Sequence, residues 1–165
     1  MNANGSEKAL LGAGCFWGVE HILRTIDGIL STEVGYAGGT TVNPSYQEVC
    51  TGKTDHAEVV LVEFNPSVIS YESLLDVFFR LHDPTTLNRQ HNDIGTQYRS
   101  VIFTYSEKQA ESALLFIKKL DESKVFANKI VTQVLSAPVF YSAETYHQDY
   151  LIKNPDGYMC HILRK

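Results

Sequence analysis

The chain has 165 residues, 44% of them hydrophobic and 20% charged, which is enough apolar material for one sizeable core. Its formal charge of −5, with acids and bases interspersed, offers no basic stripe for neutralising phosphates, so nucleic acid is not an expected partner. No apolar run approaches the roughly 20 residues that cross a bilayer, and residues 1–14 lack the charged start and apolar stretch of a secretory signal, so a soluble cytoplasmic protein without a membrane partner is expected.

Ala9 to Leu11 is a short apolar run ending at Gly12 and Gly14, and Phe16, Val19, Ile22, Leu23 and Ile26 follow at helical spacing. This predicts strand, tight turn, helix. Ile29 to Tyr36 and His56 to Phe64 read as two further strands, the second with β-branched Val59, Val60 and Val62. Ser70 is the predicted N-cap of a helix carrying Leu74, Leu75, Val77, Phe78 and Leu81, which Asp83-Pro84 ends. A strand over Gln97 to Tyr105, a helix capped by Ser106 and running to about Ser123, and a strand over Ile130 to Leu135 complete the pattern. Such an order implies an α+β fold, a two-layer mixed β-sheet with packed helices around a split β-α-β (ferredoxin-like) core. No repeat, low-complexity tract or linker divides the chain, so residues 1–165 are expected to form a single domain. Ala37 to Tyr46 and Thr85 to Thr96 are expected to be irregular, and long loops are where function concentrates.

Three cysteines, Cys15, Cys50 and Cys160, are too sparse and uneven for a secreted disulfide framework and point to reduced thiols. Cys15 stands where a strand turns into a helix, with Gly14 before it and Phe16, Trp17 and Gly18 after. Unpaired N–H groups of a helix N-terminus stabilise an anion, so a thiol there can ionise near neutral pH. The plainer reading is a small buried hydrophobe. Phe16 and Trp17 can be ordinary core, but successive helix residues point in different directions. One of the two is therefore free to wall a pocket beside the thiol, a surface suited to a thioether methyl.

The segments Gly14-Cys15-Phe16-Trp17-Gly18, Gly35-Tyr36-Ala37-Gly38-Gly39, Asn43-Pro44-Ser45-Tyr46, His56-Ala57-Glu58-Val59-Val60 and Asp93-Ile94-Gly95-Thr96-Gln97-Tyr98-Arg99-Ser100 carry a resemblance. In this order and spacing the chain, from about Ala9 to Cys160, is similar to the A-type peptide methionine sulfoxide reductases. The resemblance implies that methionine-S-sulfoxide in proteins, and free methionine sulfoxide, is reduced to methionine by Cys15, which becomes a sulfenic acid. Breaking the S–O bond requires a proton on oxygen, hence a general acid. The resemblance assigns this role to Glu58, and an inward position in its apolar strand is expected to keep it protonated. The alternative is a surface glutamate on an alternating strand.

By the same resemblance Tyr46 and Tyr98 hold the sulfoxide oxygen and Asp93 orients the substrate, although Asp93 before Gly95 also suits a simple turn. A second thiol must then resolve the sulfenic acid by forming a disulfide. Cys160, in the turn-rich tail from about residue 154, is expected to be mobile enough to reach Cys15, whereas Cys50 is expected to be a packed core thiol. The chain ends five residues after Cys160. It lacks the glycine-rich extension with another cysteine found in several family members, so the resemblance implies direct reduction of a Cys15–Cys160 disulfide by thioredoxin. No cofactor is implied. Asp55 and His91 stand where the family often has glycine, and both residue types tolerate positive φ.

Three other readings compete. Cys50, His56, Glu58, His82, His91 and His147 supply metal-ligand types, but no Cys-x-x-Cys or His-Glu-x-x-His spacing joins them. Cys15 with a distant histidine can also serve a cysteine hydrolase. Aromatic loops without chemistry fit a peptide-binding module.

Overall fold

A computed structural model describes residues 5–165. Among these described residues eight strands and five helices follow in chain order: β1 (Glu7–Ala13), α1 (Phe16–Leu23), β2 (Ile29–Ala37), α2 (Tyr46–Cys50), β3 (Ala57–Phe64), α3 (Tyr71–Leu81), β4 (Arg89–Gln90), β5 (Asp93–Ile94), β6 (Ser100–Thr104), α4 (Glu107–Ser123), β7 (Gln133–Ser136), β8 (Phe140–Ser142) and α5 (Tyr150–Lys153). Short 3₁₀ turns lie at Thr96–Tyr98 and Thr145–His147. The fold is α+β. Six strands form one mixed sheet in the order β7-β6-β1-β3-β2-β8, antiparallel except for the parallel pair β6 and β7, and β4 and β5 form a separate ribbon.

Alternation along the strands sets the two faces. Ala9, Leu11 and Ala13 on β1, Val60, Val62 and Phe64 on β3, and Val34 and Tyr36 on β2 pack with Val19, Leu23, Leu74 and Phe78 of the helices α1 and α3. Leu10, Val59, Val101 and Phe103 point the other way into a smaller cluster closed by Phe140. Every strand of the sheet's centre is thus buried on both faces, which explains its near-continuous apolar runs.

The expected caps are present: Ser70 accepts from the Ser73 N–H and Ser106 from the Gln109 N–H, each satisfying an otherwise unpaired donor. The fourth and last strands begin about three residues later than the sequence predicts. Gln97 and Tyr98 belong to a tight turn entered through Gly95, whose φ of 146° favours glycine. In the two segments expected to be irregular, the β4–β5 ribbon appears in one, and the other leads into α2 at Tyr46. The sequence does carry a signal for α2: Ser45 and Glu48 form a reciprocal capping box. Asp55 and His91 have φ of 63° and 54°, the conformation for which glycine is otherwise favoured. No helix among the described residues is long and apolar enough to cross a membrane.

Candidate active site

Gly14, at φ 92°, turns the chain from β1 into α1 and leaves Cys15 at the N-cap position, 8% exposed. On β3 the residues 58, 60, 62 and 64 share the helix-covered face, so Glu58 points inward, opposite Tyr36 in the β2–β3 register. It is 1% exposed. Its Oε1 accepts from the Phe16 N–H at 3.1 Å, and its buried Oε2 has no hydrogen-bond partner among the described residues. Burial pushes the Glu58 carboxyl up to about 8, against the pull of the Phe16 N–H, and Asp93 adds to the rise. At neutral pH it therefore holds a proton.

Cys15 differs from the expectation of a ready thiolate. Burial and the nearby Glu58 carboxyl push its thiol far above the ordinary value, and the Trp17 N–H of the helix start offsets only part of this. A helix N-terminus lowers a thiol's pKa where solvent is near. Here desolvation wins.

The two aromatic residues after Cys15 point in different directions. Phe16 is buried at 1% exposure, against Tyr36 (ring centroids 5.7 Å apart) and Tyr46 (6.5 Å). Trp17 remains half-buried, stacked on Tyr150 at 3.8 Å and 9°, with its indole N–H donating to His147 Nδ1 at 2.9 Å. His147 lies against both Phe16 and Tyr46, and its buried Nε2 has no partner among the described residues. Glu144 ties this wall to the sheet: its carboxylate accepts from the Tyr36 hydroxyl at 2.8 Å and from the Tyr46 N–H at 2.9 Å. Glu20, 1% exposed on α1, accepts from the Asp149 N–H and the Thr32 hydroxyl, fixing the segment that carries His147.

Tyr46 and Tyr98 are half-buried, and both phenols are pushed up by burial, with Glu58 adding to each. They stay protonated donors across the neutral range. The Tyr46 hydroxyl lies near the Cys50 thiol. Asp93, on β5, accepts from the Tyr158 hydroxyl at 3.3 Å and lies 3.6 Å from Cys160 Sγ. Its charge reaches Cys15, Glu58 and Tyr98.

All eight predicted site residues, Cys15, Phe16, Trp17, Tyr46, Glu58, Asp93, Tyr98 and Cys160, thus converge on the start of α1. The expectation for Cys50 is corrected: it ends α2 in an exposed position and its thiol is free, as are those of Cys15 and Cys160. The pocket also contains Glu144 and Tyr150, which the sequence reading did not single out, and His147, which it weighed only as a metal ligand. Among the described residues no group of three His, Cys, Asp or Glu side chains is arranged to hold a metal ion.

Comparison with known proteins gives this constellation a family. Residues 7–165 match the family described as peptide methionine sulfoxide reductase. Peptide methionine sulfoxide reductase MsrA of Methanothermobacter thermautotrophicus is 56% identical over 158 residues, covering 96% of this chain and 93% of that protein. Among solved structures, Mxr1 from Saccharomyces cerevisiae in reduced form superposes with a TM-score of 0.93 at 43% identity, covering 99% of this chain and 95% of that one. Mxr1 in complex with Trx2 matches with a TM-score of 0.68 at 30% identity over 99% of this chain and 94% of that one. By the extent and identity of these matches, the chain belongs to the peptide methionine sulfoxide reductase family.

Proposed function

We propose that this protein repairs oxidised proteins by reducing methionine-S-sulfoxide, in peptide linkage and free, with Cys15 as nucleophile and Glu58 as general acid. The observation that carries the assignment is the Glu58 carboxyl buried near the Cys15 thiol with one oxygen unpartnered among the described residues, a burial that favours its protonated form. Glu58 gives its proton to the sulfoxide oxygen and takes the one that leaves Cys15 as sulfur attacks sulfur. This exchange answers the high pKa of the free thiol: the proton has an acceptor once substrate has removed the one on Glu58. The substrate sulfur gains two electrons and leaves as methionine. Cys15 loses two and keeps the oxygen as sulfenic acid.

Tyr46 and Tyr98 hold the oxygen through their hydroxyls, Phe16 and Trp17 enclose the methyl, and Asp93 orients the group. Cys160 then displaces the oxygen as water, forming a Cys15–Cys160 disulfide that thioredoxin reduces by thiol exchange. The contact of Cys160 with Asp93 and the complex of the related Mxr1 with Trx2 support this second half. Residues 1–165 act as a single catalytic domain whose tail, from about residue 154, is mobile enough to bring Cys160 to Cys15. Exposed residues 153–156 support a hinge there, beyond which the Arg164 N–H and guanidinium hold the tail to the Arg80 and Phe79 carbonyls. We infer a split β-α-β (ferredoxin-like) core from the central order β6-β1-β3-β2 with helices crossing between β1 and β2 and between β3 and β6. A reducing cytoplasm is the compartment that suits three free thiols.

The test is a stoichiometry measurement without reductant, using the S and R epimers separately. One equivalent of methionine from the S epimer, none from the R epimer and none at all from Cys15→Ser is expected. Full activity in Cys15→Ser would end the proposal.

A further inference from the structure

Next to Cys160 lies a buried histidine to which nothing above gives a role. His161 is 2% exposed, and its Nε2 stands 2.7 Å from the Ala13 carbonyl oxygen, two residues before Cys15. A carbonyl only accepts, so Nε2 carries the ring proton and Nδ1 keeps its lone pair. That lone pair lies 3.3 Å from Cys160 Sγ. The ring fits because residue 18 is glycine: a Cβ there would stand 2.5 Å from Nδ1. The last glycine of Gly14-Cys15-Phe16-Trp17-Gly18 therefore seats the ring that touches the second thiol.

We propose that His161 is the general base of the resolving step, its Nδ1 accepting the Cys160 proton as Cys160 Sγ attacks the sulfenic sulfur of Cys15. The inference rests on the two-cysteine reading above. In this step the S–S bond forms and the S–O bond breaks. Cys160 sulfur is oxidised by one unit and Cys15 sulfur reduced by one, and the hydroxide that leaves combines with the proton held by Nδ1 to give water.

Such a base answers a specific difficulty. Burial pushes the Cys160 thiol up to about 11, so only about one thiol in ten thousand is ionised at pH 7. Burial also holds His161 below its ordinary value, which leaves the ring neutral and able to accept. The groups facing it are Asp93 and His91 from the β4–β5 ribbon, His82 at the end of α3, and Cys160 itself. From α1 and the end of β1 it meets the uncharged Gly18 and Ala13. Asp93 is the other acceptor near the thiol, but it is farther, at 3.6 Å, and already engaged by Tyr158.

The full-length protein is mixed with one equivalent of a methionine sulfoxide peptide without reductant, and methionine release and thiol loss are followed separately between pH 6 and 10. In the unaltered protein, disulfide formation should change little above pH 7. A tenfold rise per pH unit there overturns the proposal. His161→Gln can still donate to the Ala13 carbonyl but cannot take a proton. It should release methionine at the unaltered rate and form the disulfide about 10²-fold more slowly at pH 7, a deficit that closes as pH rises. Gly18→Ala, which displaces the ring, should give the same pH-dependent deficit. Equal rates at every pH, or a deficit independent of pH, would mean that the ring only anchors the tail or does nothing. Absence of any Cys15–Cys160 disulfide in the unaltered protein would instead remove the two-cysteine reading itself.

Discussion

The Phe16 N–H donates to one oxygen of Glu58 across 3.1 Å while the other oxygen, buried beside Cys15, has no partner among the described residues. The first residue of α1 thus holds the carboxyl in place without exhausting it. The unengaged oxygen is available to a substrate, and its proton is kept there by burial.

That carboxyl predicts two opposite responses to one substitution. Activity should fall as pH rises through about 8, where Glu58 loses its proton, and Glu58→Gln should lower kcat/KM by about 10²–10⁴-fold. The substitution moves stability the other way. The folded pKa lies above the ordinary 4.5, so this group's contribution is fully present below pH 4.5 and is lost as pH rises through about 8. Glu58→Gln should therefore stabilise the fold at pH 7, by on the order of 3 kcal/mol at most. Melting curves from pH 5 to 9 measure it, and a Gln variant less stable than the parent at pH 8 would contradict the burial argument.

Tyr46→Phe and Tyr98→Phe each remove one hydroxyl from the same side of the pocket. Each should lower kcat/KM by about 10- to 100-fold, the value of a lost hydrogen bond to a charged or developing oxyanion, with Tm changed by only a few degrees. The double variant should lose more than either single one. A double variant as active as the parent would remove both residues from oxygen binding.

Much of this was legible locally. The helix start at Cys15, the caps Ser70 and Ser106 and the strand over Ala57–Phe64 follow from residue spacing, because their causes lie within a few positions of each other. The inward face of Glu58 was ambiguous, since period-two alternation says which residues share a face but not which face is buried. His147 shows where local reading stops: its bond to Trp17 spans 130 positions, and no spacing rule connects them. Spacing leaves the ionisation of Cys15 open for a physical reason, since a helix terminus is visible in sequence and desolvation is not. Residue type alone points Cys50 to the core because cysteine is usually buried, whereas the short α2 turns it to solvent.

Glu144 should matter through Tyr46 rather than through substrate. Its carboxylate joins the Tyr36 hydroxyl and the Tyr46 N–H, so Glu144→Ala leaves the donors of a buried and a half-buried residue unpaired and should cost about 1–3 kcal/mol of stability. Because Tyr46 is then less well held, kcat should fall more than KM rises. Glu144→Gln keeps one acceptor oxygen and sets an amide donor in place of the other, so it should recover only part of the loss. Steady-state kinetics of the two variants beside their melting temperatures decide this, and an Ala variant with unchanged kcat would reduce Glu144 to a surface residue.

The three thiols give a count that separates their roles. Cys50 is exposed and free, and Cys15 and Cys160 are more buried. Brief alkylation of the native reduced protein should therefore label Cys50 first, and the alkylated protein should still turn over with thioredoxin if its label clears the pocket; Cys50→Ser, which adds no bulk, should do so at the parent's rate. Treatment with excess methionine sulfoxide but no reductant should lower the thiols titrated in denaturant from three to one, since a Cys15–Cys160 disulfide consumes two. Peptide mapping should find the survivor at Cys50. In Cys160→Ser the first equivalent of methionine should still appear, with Cys15 left as sulfenic acid and trapped by a dimedone-type reagent, while turnover with thioredoxin stops. A disulfide between Cys15 and Cys50 in the parent protein, or undiminished thioredoxin-linked turnover in Cys160→Ser, would transfer the resolving role away from the tail.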